Sequence, residues 1–547
     1  MSASPAEALP TPARMNRGPL LLALGLLLLY TIPNYSFYMD GLMFAGYAQN
    51  GDWIERVHPH HLGYSTFFWL IRVSCERLGI ALDLFALMTT TSVLASLGCL
   101  WRFWRIVRRV GFELPWATVG VAALALCYSF WNLGTSAGVY LPTLFFLLSL
   151  FEILLAWVWS PPTRVQLAWA SVYFTIACLI HQLAVFAGVT AVLWAWSGRA
   201  QTGPLRRWKF GALFALVLAL PIGLCYIAAY AVANPFLEDG SFLNWLTRFG
   251  SAGHWWLWQA AKPGQSLLEF AVTQSAISFA RLLVPIFGFD SVAPWRSPQN
   301  LADLQGYFAG LAVLGAILLG VRTVRWARAK SPLEPELRGV ITLCLLAIGP
   351  LFLFQCFYEP INPAYRLYYL PQIVLLLLLP YGKVIAVPAS LEQHRRKLAC
   401  TVLGIVVAFN VGFAWIPHSD PSYNPWLQAL PEVDAQPPGI LIYPNFLVAE
   451  YVDYIHARLF FKRPVIIGKF VETSPLEPLK LQTPFILGDP QTMVPEHAVF
   501  KPRWLAVVSD EPGAGVPHHF VLDLTQYRAD PEVRTINGVT YARYTPR

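Results

Sequence analysis

Long apolar runs alternate with short polar segments over most of the chain. A helix that crosses a membrane needs about 20 consecutive apolar residues, so each long run predicts one crossing. Eleven runs share this pattern: residues 18–37, 83–104, 114–131, 138–159, 165–180, 183–197, 210–231, 304–321, 339–357, 366–382 and 398–416. The predicted fold is therefore a polytopic α-helical membrane protein with about eleven transmembrane helices.

One apolar stretch, residues 62–80, differs from the others because Arg72, Glu76 and Arg77 interrupt it. Spacings of four and five residues keep these charges near one face of a helix. We therefore predict that this helix lies on the membrane surface and does not cross it.

The pattern changes after residue 416. Proline-rich connectors lead into short apolar runs that read as strands: 440–443, 465–467, 485–487, 505–508 and 520–522. A helical pattern over 446–460 separates the first two runs, and this order predicts a small α/β domain. We therefore divide the chain into a Pro/Ala-rich N-terminal segment 1–17, expected to be disordered, a transmembrane domain 18–416 and an α/β domain 417–547.

Composition and charge agree with this architecture. The chain is 56% hydrophobic and 13% charged, whereas soluble domains carry about 25% charged residues. The net charge of +8 could indicate a nucleic-acid partner, but most basic residues before the α/β domain flank apolar runs on the side that holds the N-terminus. Cytoplasmic loops carry such an excess of Lys and Arg, so we predict a cytoplasmic N-terminus and, after eleven crossings, an extracytoplasmic C-terminal domain. The partner predicted from this distribution is the lipid bilayer, not nucleic acid.

The densest polar segment, Tyr38–Tyr64, falls on the extracytoplasmic side. Its acidic residues and histidines are Asp40, Asp52, Glu55, His58, His60 and His61. Asp40 follows the end of the first predicted span, where a carboxylate is costly unless it is solvated or partnered. It is either a general base for an acceptor group or a helix-end residue at the headgroup level.

The two later acidic residues have a local alternative. Asp52 and Glu55 can cap a short helix and pair with Arg56. Otherwise they act as further carboxylates that bind an acceptor or a cation.

The three histidines allow three interpretations. His58, His60 and His61 resemble zinc ligands, because neutral imidazoles bind this ion. Pro59 stiffens the segment, however, and two adjacent histidines do not easily face one ion. A divalent metal therefore stays a minor alternative to phosphate or acceptor contacts and to a structural role.

Other extracytoplasmic turns add candidates. Arg366 suits bidentate binding of a phosphate, and its alternative is a pair with Glu359. His181 is a lone imidazole at a helix turn and can equally be a polar cap. Tyr140 closes the turn that starts at Trp131.

Three motifs resemble the GT-C glycosyltransferase superfamily, and in particular bacterial O-mannosyltransferase-like, or Rgt-like, enzymes. An acidic residue follows the first helix in YMDGLMFA (Asp40), and a His-Pro segment opens an interfacial helix in HPHHLGYSTFFWLI. A turn of the form W-x4-S-x3-Y precedes the fourth span (Trp131, Ser136, Tyr140). The stretch EPINPAYRLYYLP is similar to late outer turns of these enzymes.

The resemblance implies an enzyme of the bacterial inner membrane with a polyprenyl-phosphate-linked sugar donor and an extracytoplasmic acceptor. It also implies an inverting single displacement, with Asp40 at the catalytic position. In this scheme Arg366 and the histidines hold the phosphate, and no cofactor is required.

The chain departs from the family pattern at two places. The neighbours of Asp40 are not acidic, and Gly138 stands where relatives often have Glu. Asp40 would therefore act without a second carboxylate, or with Asp52 or Glu55 in that role. Two other functions stay open, a polysaccharide polymerase or ligase and a transporter or flippase of lipid-linked sugars.

Overall fold

The computed structural model describes residues 18–35, 39–50, 56–197, 204–236, 241–248, 335–357, 362–379 and 389–423, a few positions between 266 and 286, and eight strands between 440 and 546. The predicted disorder of residues 1–17, the span 304–321 and the helix 446–460 lie outside the described residues.

The first half of the described chain is helical. The helices are α1 (Gly18–Tyr30), α2 (Met39–Asn50), α3 (Tyr64–Arg77), α4 (Leu84–Arg109), α5 (Leu114–Ala125), α6 (Tyr128–Gly134), α7 (Tyr140–Ala156), α8 (Arg164–Ile180) and α9 (Val185–Trp196). Short 3-10 turns, Pro59–His61 and Gln182–Ala184, precede α3 and α9.

The second half continues with α10 (Pro204–Ala233), α11 (Phe242–Arg248), α12 (Pro335–Phe357), α13 (Pro363–Arg366), α14 (Leu370–Leu378), α15 (Ala389–Asn410) and α16 (Ile416–Ser419). A π-helical turn, Val411–Trp415, joins α15 to α16.

Three of the described helices are long and apolar enough to cross a membrane: α4, most of α10 and most of α12. The chain is thus an integral membrane protein by length and composition of its helices. Several predicted crossings are shorter helices, among them α7, α8 and α9. The predicted span 18–37 ends as a helix at Tyr30, and the predicted span 366–382 contains the nine-residue α14.

The predicted span 114–131 consists of two helices, α5 and α6, which are bent by 66° relative to each other. At the break, the Asn410 side-chain amide donates a 2.7 Å hydrogen bond to the Leu126 carbonyl. A broken helix within a membrane is tolerated where other groups satisfy the freed backbone. A residue of α15 therefore stabilises the bend.

The core of the bundle surrounds α7, which packs between α4 and α8 and is buried along most of its length. Hydrogen bonds fix the neighbouring helices, since Trp194 Nε1 donates to the Leu154 carbonyl and Thr190 Oγ1 donates to the Leu346 carbonyl. By contrast, α10 exposes a row of apolar side chains, including Leu216, Leu220 and Leu224, as expected of a helix that faces lipid.

The helix predicted at 62–80 is present as α3, and Arg72 and Glu76 form an ion pair one turn apart on it. The C-terminal part forms two sheets. Their strands are β1 (Ile440–Ile442), β2 (Ile467–Val471), β3 (Pro484–Leu487), β4 (His497–Trp504), β5 (Phe520–Asp523), β6 (Tyr527–Ala529), β7 (Arg534–Ile536) and β8 (Val539–Pro546).

One sheet has the order β1-β3-β8-β6 with β7 also paired to β8, and the other has the order β2-β4-β5. Only β1 and β3 are parallel among the described strand pairs, and a parallel pair needs a crossover connection. The predicted strand at 505–508 lies outside the described residues, directly after β4.

Candidate functional site

The turn between α6 and α7, residues 135–139 (the hub turn), lies at the end of the bundle where the polar candidate residues collect. All of its residues are buried, as are the whole of α6 and the first turn of α7. At Gly134 an added Cβ would lie 2.5 Å from Ser96 Oγ and 2.7 Å from Tyr30 Cε1. Glycine therefore allows α6 to end in close contact with α4 and α1.

Asn34 attaches the segment after α1 to the hub turn. Its Nδ2 lies 2.9 Å from both Asn132 Oδ1 and Thr135 Oγ1, and 3.2 Å from Ser136 Oγ. The polar side chains after α6 thus fix the chain just before α2.

Asp40 lies in the first turn of α2, beside Gly41. A Cβ at Gly41 would fall 1.8 Å from the Ala137 carbonyl oxygen, so only glycine permits this approach of two backbones. The start of α2 therefore rests directly on the hub turn.

The histidine segment forms a 3-10 turn that starts at Pro59, a position where proline costs no hydrogen bond. His58 Nδ1 accepts a hydrogen bond from the His60 backbone N–H at 3.2 Å. Two distant helices hold the turn: Gly63 N–H donates to the Leu179 carbonyl at 2.6 Å, and the Tyr226 hydroxyl donates to the Pro59 carbonyl at 2.7 Å.

Four imidazoles meet at this turn. The ring centroids of His58 and His60 are 5.0 Å apart, those of His58 and His61 are 5.7 Å apart, and those of His61 and His181 are 4.9 Å apart. Phe44, one turn after Asp40 along α2, packs on His61 at 4.3 Å. The structure therefore brings His181, predicted on a separate turn, into the histidine cluster.

Burial controls the protonation of the cluster. It lowers the pKa of His60 to about 4 and the pKa of His181 to about 3, the latter with a contribution from His60. It also lowers the pKa of His61, to which the neighbouring imidazoles add their repulsion. Near neutral pH these rings are uncharged hydrogen-bonding groups.

Two ring nitrogens have unused hydrogen-bonding capacity. His61 Nδ1 and His181 Nδ1 are buried and have no hydrogen-bond partner within the described residues. Buried polar atoms are normally satisfied, so these two point to a missing partner such as water or a ligand. Over the described ranges, no three His, Cys, Asp or Glu side chains are arranged to hold a metal ion.

Three tyrosines continue the cluster toward α13 and α14. His181 lies 5.4 Å from Tyr140, 5.9 Å from Tyr365 and 5.5 Å from Tyr368, measured between ring centroids. The predicted residues Tyr140 and His181 are thus neighbours. Tyr365 and Tyr368 were absent from the sequence-based candidates, although both lie in the recognisable stretch YRLYYLP.

Arg366 is fully buried at the end of α13. Asn362 caps this helix, its Oδ1 accepting from the Ala364 N–H at 2.9 Å, and α13 contacts α6 beside the hub turn. Both α2 and α13 therefore flank the segment that runs from α6 to α7.

The π-helical turn after α15 and the short helix α16 also contact α6. Trp131 packs on Trp415 at 5.6 Å and on His418 at 6.2 Å, and the His418 carbonyl accepts from the Tyr35 N–H at 2.7 Å. The sequence offered no motif that would have identified Tyr226 or His418 as part of this end. The candidates Asp52, Glu55 and Glu359 lie outside the described residues.

Comparisons with known proteins give resemblances of shape only. No protein-family model and no curated protein sequence matches the chain. Among solved structures, ArnT from Cupriavidus metallidurans bound to undecaprenyl phosphate is similar with a TM-score of 0.46 at 12% identity, over 83% of this chain and 86% of that one.

The same protein in the apo state has a TM-score of 0.42 at 12% identity, over 81% of this chain and 72% of that one. The archaeal oligosaccharyltransferase AglB from Archaeoglobus fulgidus, in complex with an inhibitory peptide and a dolichol-phosphate, has a TM-score of 0.40 at 12% identity, over 80% and 63%. Overlaps of this degree establish neither family nor activity.

Proposed function

We propose that this protein is a membrane glycosyltransferase of the GT-C type that moves a sugar from a polyprenyl-phosphate-linked donor to an extracytoplasmic acceptor. The observation that carries the proposal is a buried polar cluster at one end of an apolar bundle. In it the Asp40 helix, the histidine turn and the Arg366 helix surround residues 128–140.

Arg366 supplies the positive charge for the donor phosphate. A guanidinium stays protonated in every protein environment and matches phosphate with two parallel hydrogen bonds. Since Arg366 is fully buried, its charge acts where little water screens it. The phosphate is also the leaving group, so this contact stabilises the charge that develops as the sugar departs.

His61 and His181 contribute neutral hydrogen bonds. Each has a buried Nδ1 without a partner in the described structure, and Tyr140 lies beside His181. We assign these rings to the phosphate or the sugar, with His58 and His60 completing the wall of the pocket. A phosphate near them would raise their lowered pKa values and so strengthen the contact.

Asp40 is the general base in this scheme. It takes the acceptor proton while the acceptor oxygen or nitrogen attacks the anomeric carbon and the polyprenyl phosphate leaves on the other side. The result is inversion at that carbon in one displacement. Asp52 and Glu55 remain proposed acceptor contacts, and Glu359 remains a proposed substrate contact.

The lipid chain of the donor needs an apolar path from the cluster. Tyr368, which contacts His181, also lines a cavity whose other walls are mainly apolar side chains of α7, α9 and α12. The cavity of about 40 Å³ holds only a few waters, so a chain that enters here has to separate α9 from α12. This route starts at the proposed phosphate site.

A reconstituted assay tests the proposal. The protein in nanodiscs receives lipid-linked sugars extracted from host membranes, and mass spectrometry follows the release of polyprenyl phosphate. We expect turnover by the wild type and a loss of at least about 100-fold in Asp40→Asn, the usual contribution of a general base. Turnover on glycan acceptors alone would favour the polymerase or ligase alternative, and movement of intact donor without release would favour the flippase.

The matched control is Asp83→Asn. Asp83 caps α4 through a 2.9 Å hydrogen bond from the Ala86 N–H, and asparagine preserves such a cap. The control should keep wild-type turnover. An Asp40→Asn variant as active as this control would refute the role of Asp40.

A further inference from the structure

A second polar cluster lies where α4 ends, away from the candidate site. Three arginines converge on Glu152 of α7: Arg102 at 2.9 Å, Arg105 at 2.8 Å and Arg109 at 3.8 Å between charged atoms. Twelve residues of helix separate Glu152 from Tyr140, which corresponds to about 18 Å along α7. This cluster is therefore independent of the histidine cluster.

The cluster carries excess positive charge. The side chain of Glu152 is 5% exposed, and its single charge faces three guanidinium groups. In the part of the chain that the structure describes, no second carboxylate pairs with Arg105 or Arg109. Like charges held this close repel one another, so an added anion would stabilise the arrangement.

The three arginines differ in accessibility. Arg102 is held between the rings of Phe145 and Tyr173, at 5.6 and 5.9 Å, and its side chain is 19% exposed. The side chains of Arg105 and Arg109 are 42% and 39% exposed. Arg109 also donates to the Glu152 carbonyl at 3.2 Å. The guanidinium groups of Arg105 and Arg109, one helical turn apart, are thus held by Glu152 on one side and exposed on the other.

The surface beside them suits a lipid. Leu94 and Trp101 are exposed on α4, and heptad spacing places them in one row with Arg108 at its end. Trp101 also stacks on Trp104 at 5.1 Å. Tryptophan is enriched at membrane interfaces, and arginine follows it in this row. A lipid beside the row would therefore contact tryptophan near its acyl chains and arginine at its headgroup.

We propose that Arg105 and Arg109, positioned by Glu152, bind the phosphate of an anionic phospholipid headgroup, with Trp101 against its glycerol and acyl region. Basic pockets between transmembrane helices are known to bind such headgroups. The site does not depend on the proposed transfer reaction.

Native mass spectrometry of the full chain tests this site, with phosphatidylglycerol and phosphatidylcholine as probes in mixed micelles. We expect the wild type to retain phosphatidylglycerol with roughly 10- to 30-fold preference, and Arg105→Gln/Arg109→Gln to lose that preference. The variant should fold, because Arg102 still pairs with Glu152; an unchanged melting temperature in phosphatidylcholine micelles checks this.

The control variant is Arg77→Gln/Arg164→Gln, which removes the same charge from two exposed residues and should keep the preference. A second arm adds inorganic phosphate as a competitor. Equal binding of both lipids by the wild type, an unchanged preference in Arg105→Gln/Arg109→Gln, or full displacement by millimolar phosphate would each overturn the proposal.

Discussion

His61 and His181 lie with their ring centroids 4.9 Å apart, although one belongs to the turn before α3 and the other to the turn after α8. The hydrogen bond from Gly63 N–H to the Leu179 carbonyl brings these turns together. The contact converts two separate polar turns into one buried site.

The first prediction concerns pH. His60 and His181 have pKa values of about 4 and about 3 in the folded protein, below the ordinary value of 6.5. At pH values between each folded pKa and 6.5, the unfolded chain binds more protons than the folded one. The free energy of unfolding therefore falls as the pH drops below about 6.5, and it stops falling near the folded pKa. Fully developed, this loss is about 3 kcal/mol for His60 and about 5 kcal/mol for His181, since one pKa unit corresponds to about 1.4 kcal/mol.

Melting temperatures in detergent at pH 7 and pH 5 measure the effect. We expect the wild type to lose more stability on acidification than His60→Gln/His181→Gln. Parallel pH dependences of the two proteins would show that these imidazoles are not held neutral by burial.

The second prediction concerns Tyr226, whose hydroxyl holds the Pro59 carbonyl at 2.7 Å. Tyr226→Phe removes only this hydrogen bond and should cost about 1 kcal/mol. Hydrogen exchange of residues 58–63 should become faster, and sugar transfer should fall several-fold because the histidines lose their position.

Tyr230→Phe is the matched control, since it makes the same change one turn further along α10, where the ring packs on Phe242 and Trp245. We expect normal exchange over residues 58–63 in this variant. Equal exchange rates in both variants would remove Tyr226 from its positioning role.

The third prediction concerns Gly41. In Gly41→Ala the new Cβ would meet the Ala137 carbonyl at 1.8 Å, so α2 has to move away from the hub turn. We expect at least about a tenfold loss of transfer, because small displacements of a catalytic group are costly.

Gly25→Ala tests the same substitution in α1, where nothing lies within 4 Å of the added Cβ. Alanine is the better helix former, so this control should be as stable as the wild type or slightly more stable. Full activity in Gly41→Ala would contradict the close contact of α2 with residues 135–139.

The fourth prediction concerns Arg366, which is fully buried. Arg366→Gln should weaken binding of polyprenyl phosphate by about 10- to 100-fold, the range for a lost charged hydrogen bond. Arg366→Lys keeps the charge without the bidentate fork and should bind with intermediate affinity.

Arg77→Gln removes an exposed arginine at the end of α3 and serves as the control, with unchanged affinity expected. Titration of each protein with polyprenyl phosphate provides the comparison. Wild-type affinity in Arg366→Gln would assign the phosphate to other groups.

Much of this organisation can be predicted from the sequence, because hydropathy and charge are local properties. They predict the helical bundle, the helix at residues 62–80 and the collection of Asp40, the histidines, Tyr140 and Arg366 at turns between apolar runs. Burial then follows from packing that local patterns do not contain.

The bend between α5 and α6 is a feature that the sequence does not predict. Residues 114–131 have the composition of one continuous span, but Asn410 satisfies the Leu126 carbonyl from a distant helix. The bond between Tyr226 and Pro59 is likewise a contact between remote parts of the chain. Neither could be deduced from spacing, since both depend on how the helices pack.

The most direct test of the central claim separates donor binding from chemistry in Asp40→Asn. The variant is first loaded with a lipid-linked sugar, acceptor is then added, and the release of polyprenyl phosphate is followed over a single turnover. The account predicts donor affinity within about twofold of the wild type and release at least about 100-fold slower. Release at the wild-type rate from the loaded Asp40→Asn complex would contradict it.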